Sequence, residues 1–237
     1  VVAASLKKED GYQAGFAVLL LPALLSLGAL WLARRGFPLP GGSERVIRPG
    51  IPWRVERSFG YYLIFTWAVV VGFVHFQLIA VHAKTHALMS DVQIVTAFAA
   101  AMAVDALAAL VVGKMYDRAG LASLLILPLI GMLVAPLGFG TSPLSLWMGI
   151  VVWGAGMGVQ ESAMRAAVAD LVPEHARGRA FGLYHAVLGS AWLIGGALVG
   201  WLYQRSGVSV VAFLVAAQVV AVAALALLRS SRPIPRG

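Results

Sequence analysis

VVGKMYDRAG, residues 111–120, sets a Lys, an Asp and an Arg between two long apolar runs. VTAFAAAMAVDALAAL precedes it and LASLLILPLIGMLVAPLG follows it. About 20 apolar residues cross the roughly 30 Å of a bilayer's hydrocarbon core. The stretch therefore predicts a sharp charged turn, bracketed by Gly113 and Gly120, that joins two membrane helices on one side of the bilayer.

The composition agrees. Hydrophobic residues make up 60% of the 237-residue chain and charged residues 12%, too few to coat a soluble domain of this length. With no cysteine, disulfides and thiolate metal sites are excluded. Seven segments predict membrane spans: Gln13–Ala33, Phe59–Val81, Val92–Val112, Leu121–Gly138, Leu144–Met164, Ala180–Leu202 and Val208–Leu228. The first is too long for a signal peptide, and Arg34-Arg35 follows it as a stop-transfer signal would. Little alternation of polar and apolar residues runs through the spans, which argues against a β-barrel.

Charge gives the orientation. Arg34, Arg35, Arg45, Arg48, Arg54 and Arg57 lie between the first two spans; Lys114, Arg118, Arg177, Arg179, Arg229, Arg232 and Arg236 fall on the same side. Only Lys7, Lys8, Lys84 and Arg205 fall opposite. The positive-inside rule places the C-terminus in the cytoplasm. The formal charge of +8 then reflects topology, and nucleic acid is not an expected partner. Pro38, Pro40, Gly41, Gly42, Pro49, Gly50 and Pro52 interrupt any helix between the first two spans. The expected organisation is a membrane helix within residues 1–35, a cytoplasmic linker at 36–57 and a six-helix domain at 58–237. The start at Val1 rather than Met suggests that the natural N-terminus is missing.

The pattern Gly-x-x-x-Asp-Arg-x-Gly, here Gly113, Asp117, Arg118 and Gly120, resembles the signature of the major facilitator superfamily, which recurs at the equivalent loop of each six-helix half. ADLVPEHARGRAFGLY, residues 169–184, resembles the cytoplasmic turn between the tenth and eleventh helices of those transporters, with Asp170, Pro173, Arg177 and Gly178 at the matching places. GSAWLIGGALVGWLYQRSG follows, with the small-residue character of the eleventh helix; Gly196 and Gly200, four apart, would let backbones approach. The resemblance implies an all-α membrane fold aligned from the sixth helix to the twelfth. Five N-terminal helices would be absent, and transport would proceed by alternating access. It also implies that Asp117, Arg118, Asp170 and Arg177 form charge pairs closing the cytoplasmic side.

Polar groups at membrane depth are costly and mark candidate sites. The first and fourth spans hold no ionisable residue in their interiors, and the last holds only Gln218 as a strongly polar group. Those three read as lipid-facing. The other four carry His75 and Gln77; Asp105; Gln160, Glu161 and Arg165; Tyr184 and His185, and could surround a polar cavity. Asp105, flanked by Ala, Val, Met and Leu, is a candidate for proton or cation coupling, with a structural pair to Arg165 as the alternative. Glu161 and Arg165, four apart, can pair along one helix face, or a substrate or proton can compete for one partner. His75, His82 and His86 share a helix face, but His82 and His86 read as interfacial residues rather than metal ligands. Trp67, Trp153 and Trp192 read as packing, and the glycines of WGAGMG (Gly154, Gly156 and Gly158) permit close packing or bending.

Seven spans also suit a receptor or a retinal protein. The last span has no Lys for a Schiff base, and a receptor leaves the basic linker and the two turn patterns unexplained. No Gly-Lys-Ser/Thr phosphate loop is present, so ATP is not an expected driver. No enzyme active site, cofactor or metal is expected. The expected function is secondary transport of a small solute or drug-like compound across a prokaryotic-type inner membrane, with protons and the lipid bilayer as partners.

Overall fold

A computed structural model describes residues 11–36 and 53–231. The chain divides between Pro52 and Trp53, inside the predicted linker; most of that linker, residues 37–52, lies outside the described residues, as do Lys7, Lys8, Arg45, Arg48, Arg232 and Arg236. The first unit contains α1 (Gly11–Gly36), a helix of 26 residues ending on Arg34 and Arg35. The Arg35 guanidinium lies 3.6 Å from the centroid of the Trp31 ring, where a cation gains from the aromatic face.

The second unit is built from α2 (Arg57–Val71), α3 (Phe76–Thr85), α4 (Asp91–Ala119), α5 (Ile126–Gly138), α6 (Pro143–Glu161), α7 (Ala163–Leu171), α8 (Arg177–Tyr203) and α9 (Gly207–Ser230). Short 3-10 turns cover Gly120–Leu125 and Glu174–Ala176. Among the described residues four helical stretches are long and apolar enough to cross a membrane: Arg57–Thr85, Asp91–Gly138, Glu174–Tyr203 and Gly207–Ser230. The second has 48 residues, roughly twice what one crossing needs, and contains two of the predicted spans. Helices α1 and α6 also stand where spans were predicted. The described residues are helical without strands, as an all-α membrane protein requires.

Local signals set the helix ends. Ser90 and Gln93 form a capping box at the start of α4: Gln93 N–H donates to Ser90 Oγ (3.3 Å), and Ser90 N–H donates to Gln93 Oε1 (2.8 Å). Ser142 caps α6, with Pro143 in its first turn. At the other end of α4, Gly120 adopts φ +55°, a conformation open to glycine but strained for other residues.

The sharp turn expected across Gly113–Gly120 is therefore displaced. Gly113 lies inside α4, and only Gly120 turns the chain. No proline interrupts VVGKMYDRA, so the helix runs on through Asp117 and Arg118. A Cβ on Gly113 would meet Ser162 Oγ at 3.2 Å; the glycine serves a close helix approach rather than a turn.

Helix α4 packs most extensively on α6, and further contacts join α2 to α9 and α8, and α5 to α6 and α9. A side chain at Gly154 would collide with the Ala101 backbone, and one at Gly158 with Asp105 O and Ala109 N. These glycines let α4 and α6 approach at van der Waals distance, the form of packing that holds helices together in lipid. In α8 the close approach falls at Gly195, against the backbone of Val71; Gly200 meets nothing within 4 Å and Gly196 faces the His75 ring.

Candidate functional site

The second predicted span is interrupted. Helix α2 stops at Val71 and α3 resumes at Phe76, with no proline between them. In a continuous helix Phe73 N–H would bond Val69 O, but here it donates to Val70 O (3.0 Å). The released backbone is taken up by side chains from other helices. Gln218 Nε2 donates to Gly72 O (2.7 Å) and Val69 O (3.1 Å). The Trp153 indole N–H donates to Val74 O (2.9 Å). His75 Nε2 donates to Trp192 O (3.0 Å). An unpaired carbonyl in hydrocarbon costs several kcal/mol, so the bonds to the Val69, Gly72 and Val74 carbonyls make the interruption tenable, while His75 ties it to α8.

Gln218 was expected on a lipid-facing helix; it is instead fully buried, because α9 packs against the interruption and supplies its donor. Gly131 and Gly72 leave room for its amide. Trp153 and Trp192 pack as the sequence suggests, around Phe73 at ring separations of 6.5 and 6.4 Å, but each also holds backbone or His75.

Beyond the interruption, His75, Gln77, Leu78 and Val81 of α3 and Gly196 and Val199 of α8 line a cleft of about 310 Å³. His75 and Gln77 are thus brought together as candidate cavity residues. At the far end of α3, His82 Nδ1 meets Tyr203 Oη at 2.8 Å, and His82 Nε2 donates to Gly140 O at 3.1 Å. His82 is more than the interfacial residue expected: it is buried and joins the ends of α3 and α8 to the turn after α5. The His86 ring lies tilted beside it, 4.6 Å between centroids.

The remaining candidates form two further groups. Asp105 Oδ1 is buried without a hydrogen-bond partner, and Asp105 interacts electrostatically with Glu161. Gln160 is 6% exposed, and its amide reaches the Met157 sulfur at 4.0 Å. Glu161 and Arg165 do not share an unbroken helix face, because Ser162 (φ −102°, ψ −81°) separates α6 from α7. Among the described residues these two form no ion pair with each other. Both side chains are exposed, and Arg165 interacts electrostatically with Tyr184. Tyr184 is buried and stacks on Tyr62 at 6.2 Å, whereas His185 is exposed.

The two signature stretches meet in space. Tyr116 donates a hydrogen bond to Asp170 Oδ2 (3.0 Å), joining the end of α4 to the end of α7. Arg177 pairs with Glu174 at 3.6 Å, while Asp117 and Arg118 stand exposed and form no ion pair with a described residue. Sequence reasoning missed Tyr62, whose hydroxyl donates to Met164 O, and gave Tyr116 no part in joining the two stretches. The available signal was a tyrosine beside an apolar run, whose hydroxyl needs a partner once buried.

These features define an all-α, multi-pass membrane protein with a polar interruption in an apolar helix. Residues 79–237 match the family profile described as Major Facilitator Superfamily. The chain belongs to that family, and membrane transport is the activity the family supports. Uncharacterized proteins of Mycobacterium bovis and Mycobacterium tuberculosis are each 36% identical to it over 235 residues. The match takes in 95% of this chain, which spans 57% of the length of those relatives. No solved structure matches.

Proposed function

We propose that the chain is the C-terminal portion of a secondary active transporter, one membrane helix followed by a six-helix half. It moves a small solute or drug-like compound by alternating access, coupled to protons, across a prokaryotic-type inner membrane with its C-terminus in the cytoplasm. The observation that carries this reading is the interruption at Gly72–His75 beside a cleft lined by His75 and Gln77. Discontinuous helices form the solute and ion sites of secondary transporters, because their freed polar groups line a cavity rather than lipid.

In this reading Asp105 and Glu161 carry the coupling proton, and the unpartnered Asp105 oxygen supports that role. Gln160, Arg165, Tyr184 and His185 contribute to or support the solute pathway together with His75 and Gln77. Five further helices, in the part of the relatives this chain does not span, supply the rest. Gly113, Asp117, Arg118, Gly120, Asp170 and Arg177 form the cytoplasmic gate, with exposed Asp117 and Arg118 open to partners from that other half. The Tyr116–Asp170 hydrogen bond supports such a gate by tying its two stretches together.

The test places the full-length protein in liposomes under an imposed pH gradient and measures movement of a panel of charged and uncharged small solutes. At least one solute should move with the gradient, and Asp105→Asn should abolish that gradient dependence while leaving exchange without a gradient. Movement of no solute would sink the transporter reading. Unchanged gradient-driven movement in Asp105→Asn would remove Asp105 from coupling.

A further inference from the structure

His75, at the N-cap of α3, and His82, within it, pin that helix to α8 at two separate points. His75 bonds Trp192 O at the start of α3, and His82 bonds Tyr203 Oη near its end. The cleft of about 310 Å³ lies between α3 and α8, lined by His75, Gln77, Leu78, Val81, Gly196 and Val199. Gly196 is what admits the His75 ring, since a Cβ there would come within 2.9 Å of Nε2.

The lining specifies the chemistry of an occupant. None of its six residues is charged, and Leu78, Val81 and Val199 make its walls apolar. A charged solute would lose its hydration there and gain no opposite charge. A carbonyl oxygen can only accept, so the bond to Trp192 O puts the proton of the neutral His75 ring on Nε2. Nδ1 is left as an acceptor: it does not cap α3 and has no partner among the described residues. The Gln77 amide is exposed as a second polar group. The volume is at the small end of ligand sites, which run from about 300 Å³ upward.

We propose that this cleft binds an uncharged, mostly apolar small molecule that donates one hydrogen bond to His75 Nδ1. The proposal rests on the transporter reading for its consequence and specifies the solute class that such a protein selects. The His82–Tyr203 bond holds α3 to α8 at a second point.

The probes are 5-fluoroindole, flat and uncharged with one N–H donor, and its 1-methyl derivative, which keeps the ring and lacks the donor. Binding to the full-length protein in lipid nanodiscs is read by fluorine NMR, with empty nanodiscs giving the partition into lipid. Fluoroindole should bind, and the methyl derivative should bind about tenfold more weakly, the effect of one hydrogen bond in an apolar site. His75→Phe should bring fluoroindole down to the affinity of the methyl derivative. Val81→Trp should abolish binding of both by filling the cleft from a position that is 50% exposed and tolerant of a larger side chain. No fluoroindole binding above empty nanodiscs, equal affinity for the two probes in the unmodified protein, or indifference to Val81→Trp would each overturn the proposal. Gradient-driven movement of other solutes without fluoroindole binding would overturn this site and leave the transporter reading standing. Binding with no movement of any solute would do the reverse.

Discussion

The interruption at Gly72–His75 and the one at Ser162 both divide an apolar helix, but they are held in different ways. At Ser162 the backbone largely serves itself: Ser162 N–H bonds Gly158 O and Ala166 N–H bonds Ser162 O, each at 3.1 Å. One long-range side-chain bond assists nearby, from Tyr62 to Met164 O. At Gly72–His75 the backbone does not close on itself, and donors arrive from α6 and α9 while His75 reaches α8. The first kind of interruption depends on local geometry. The second depends on the whole bundle, so its shape changes only if three other helices change with it. That difference suits a site next to a ligand cleft, where polar groups must keep their positions.

Three substitutions separate the two cases. Gln218→Leu keeps the size of the side chain and removes both donated bonds. It should cost about 1–3 kcal/mol for each carbonyl left unpaired, measured as loss of stability in unfolding by titrated SDS. Trp153→Phe leaves an aromatic ring and unpairs Val74 O alone; its cost in the same measurement should be about half as large. Ser162→Ala should change stability by no more than about 0.5 kcal/mol, because that hydroxyl donates no hydrogen bond across the bundle. If Ser162→Ala cost as much as Gln218→Leu, the contrast between a local and a bundle-dependent interruption would be wrong.

The same contrast explains what could be read in advance. Among helix ends governed by neighbours in sequence, Gly120 was read as a turn residue, whereas the equally local signals of Ser90 with Gln93 and Ser142 with Pro143 went unread. The small residues of WGAGMG announced close packing, and Gly154 and Gly158 provide it. The role of Gly113 was misread, since a glycine beside a charged stretch looks like a turn residue until Ser162 is seen opposite it. Gln218 was misread for a related reason: one amide in an apolar run has no local partner to reveal its task.

Apolar length, basic-residue asymmetry and the two short motifs were enough by themselves to determine an all-α membrane protein of this transporter family. The first two depend on the cost of exposing polar backbone and charge to lipid; the motifs carry the family by resemblance. The tertiary structure alone decided that the helix breaks at Gly72–His75, that Gln218 and Trp153 hold the break, and that His75 lines a cleft between α3 and α8. Those outcomes rest on hydrogen bonds between residues 79 to 149 positions apart. Such bonds form only after packing has brought donor and acceptor together away from water.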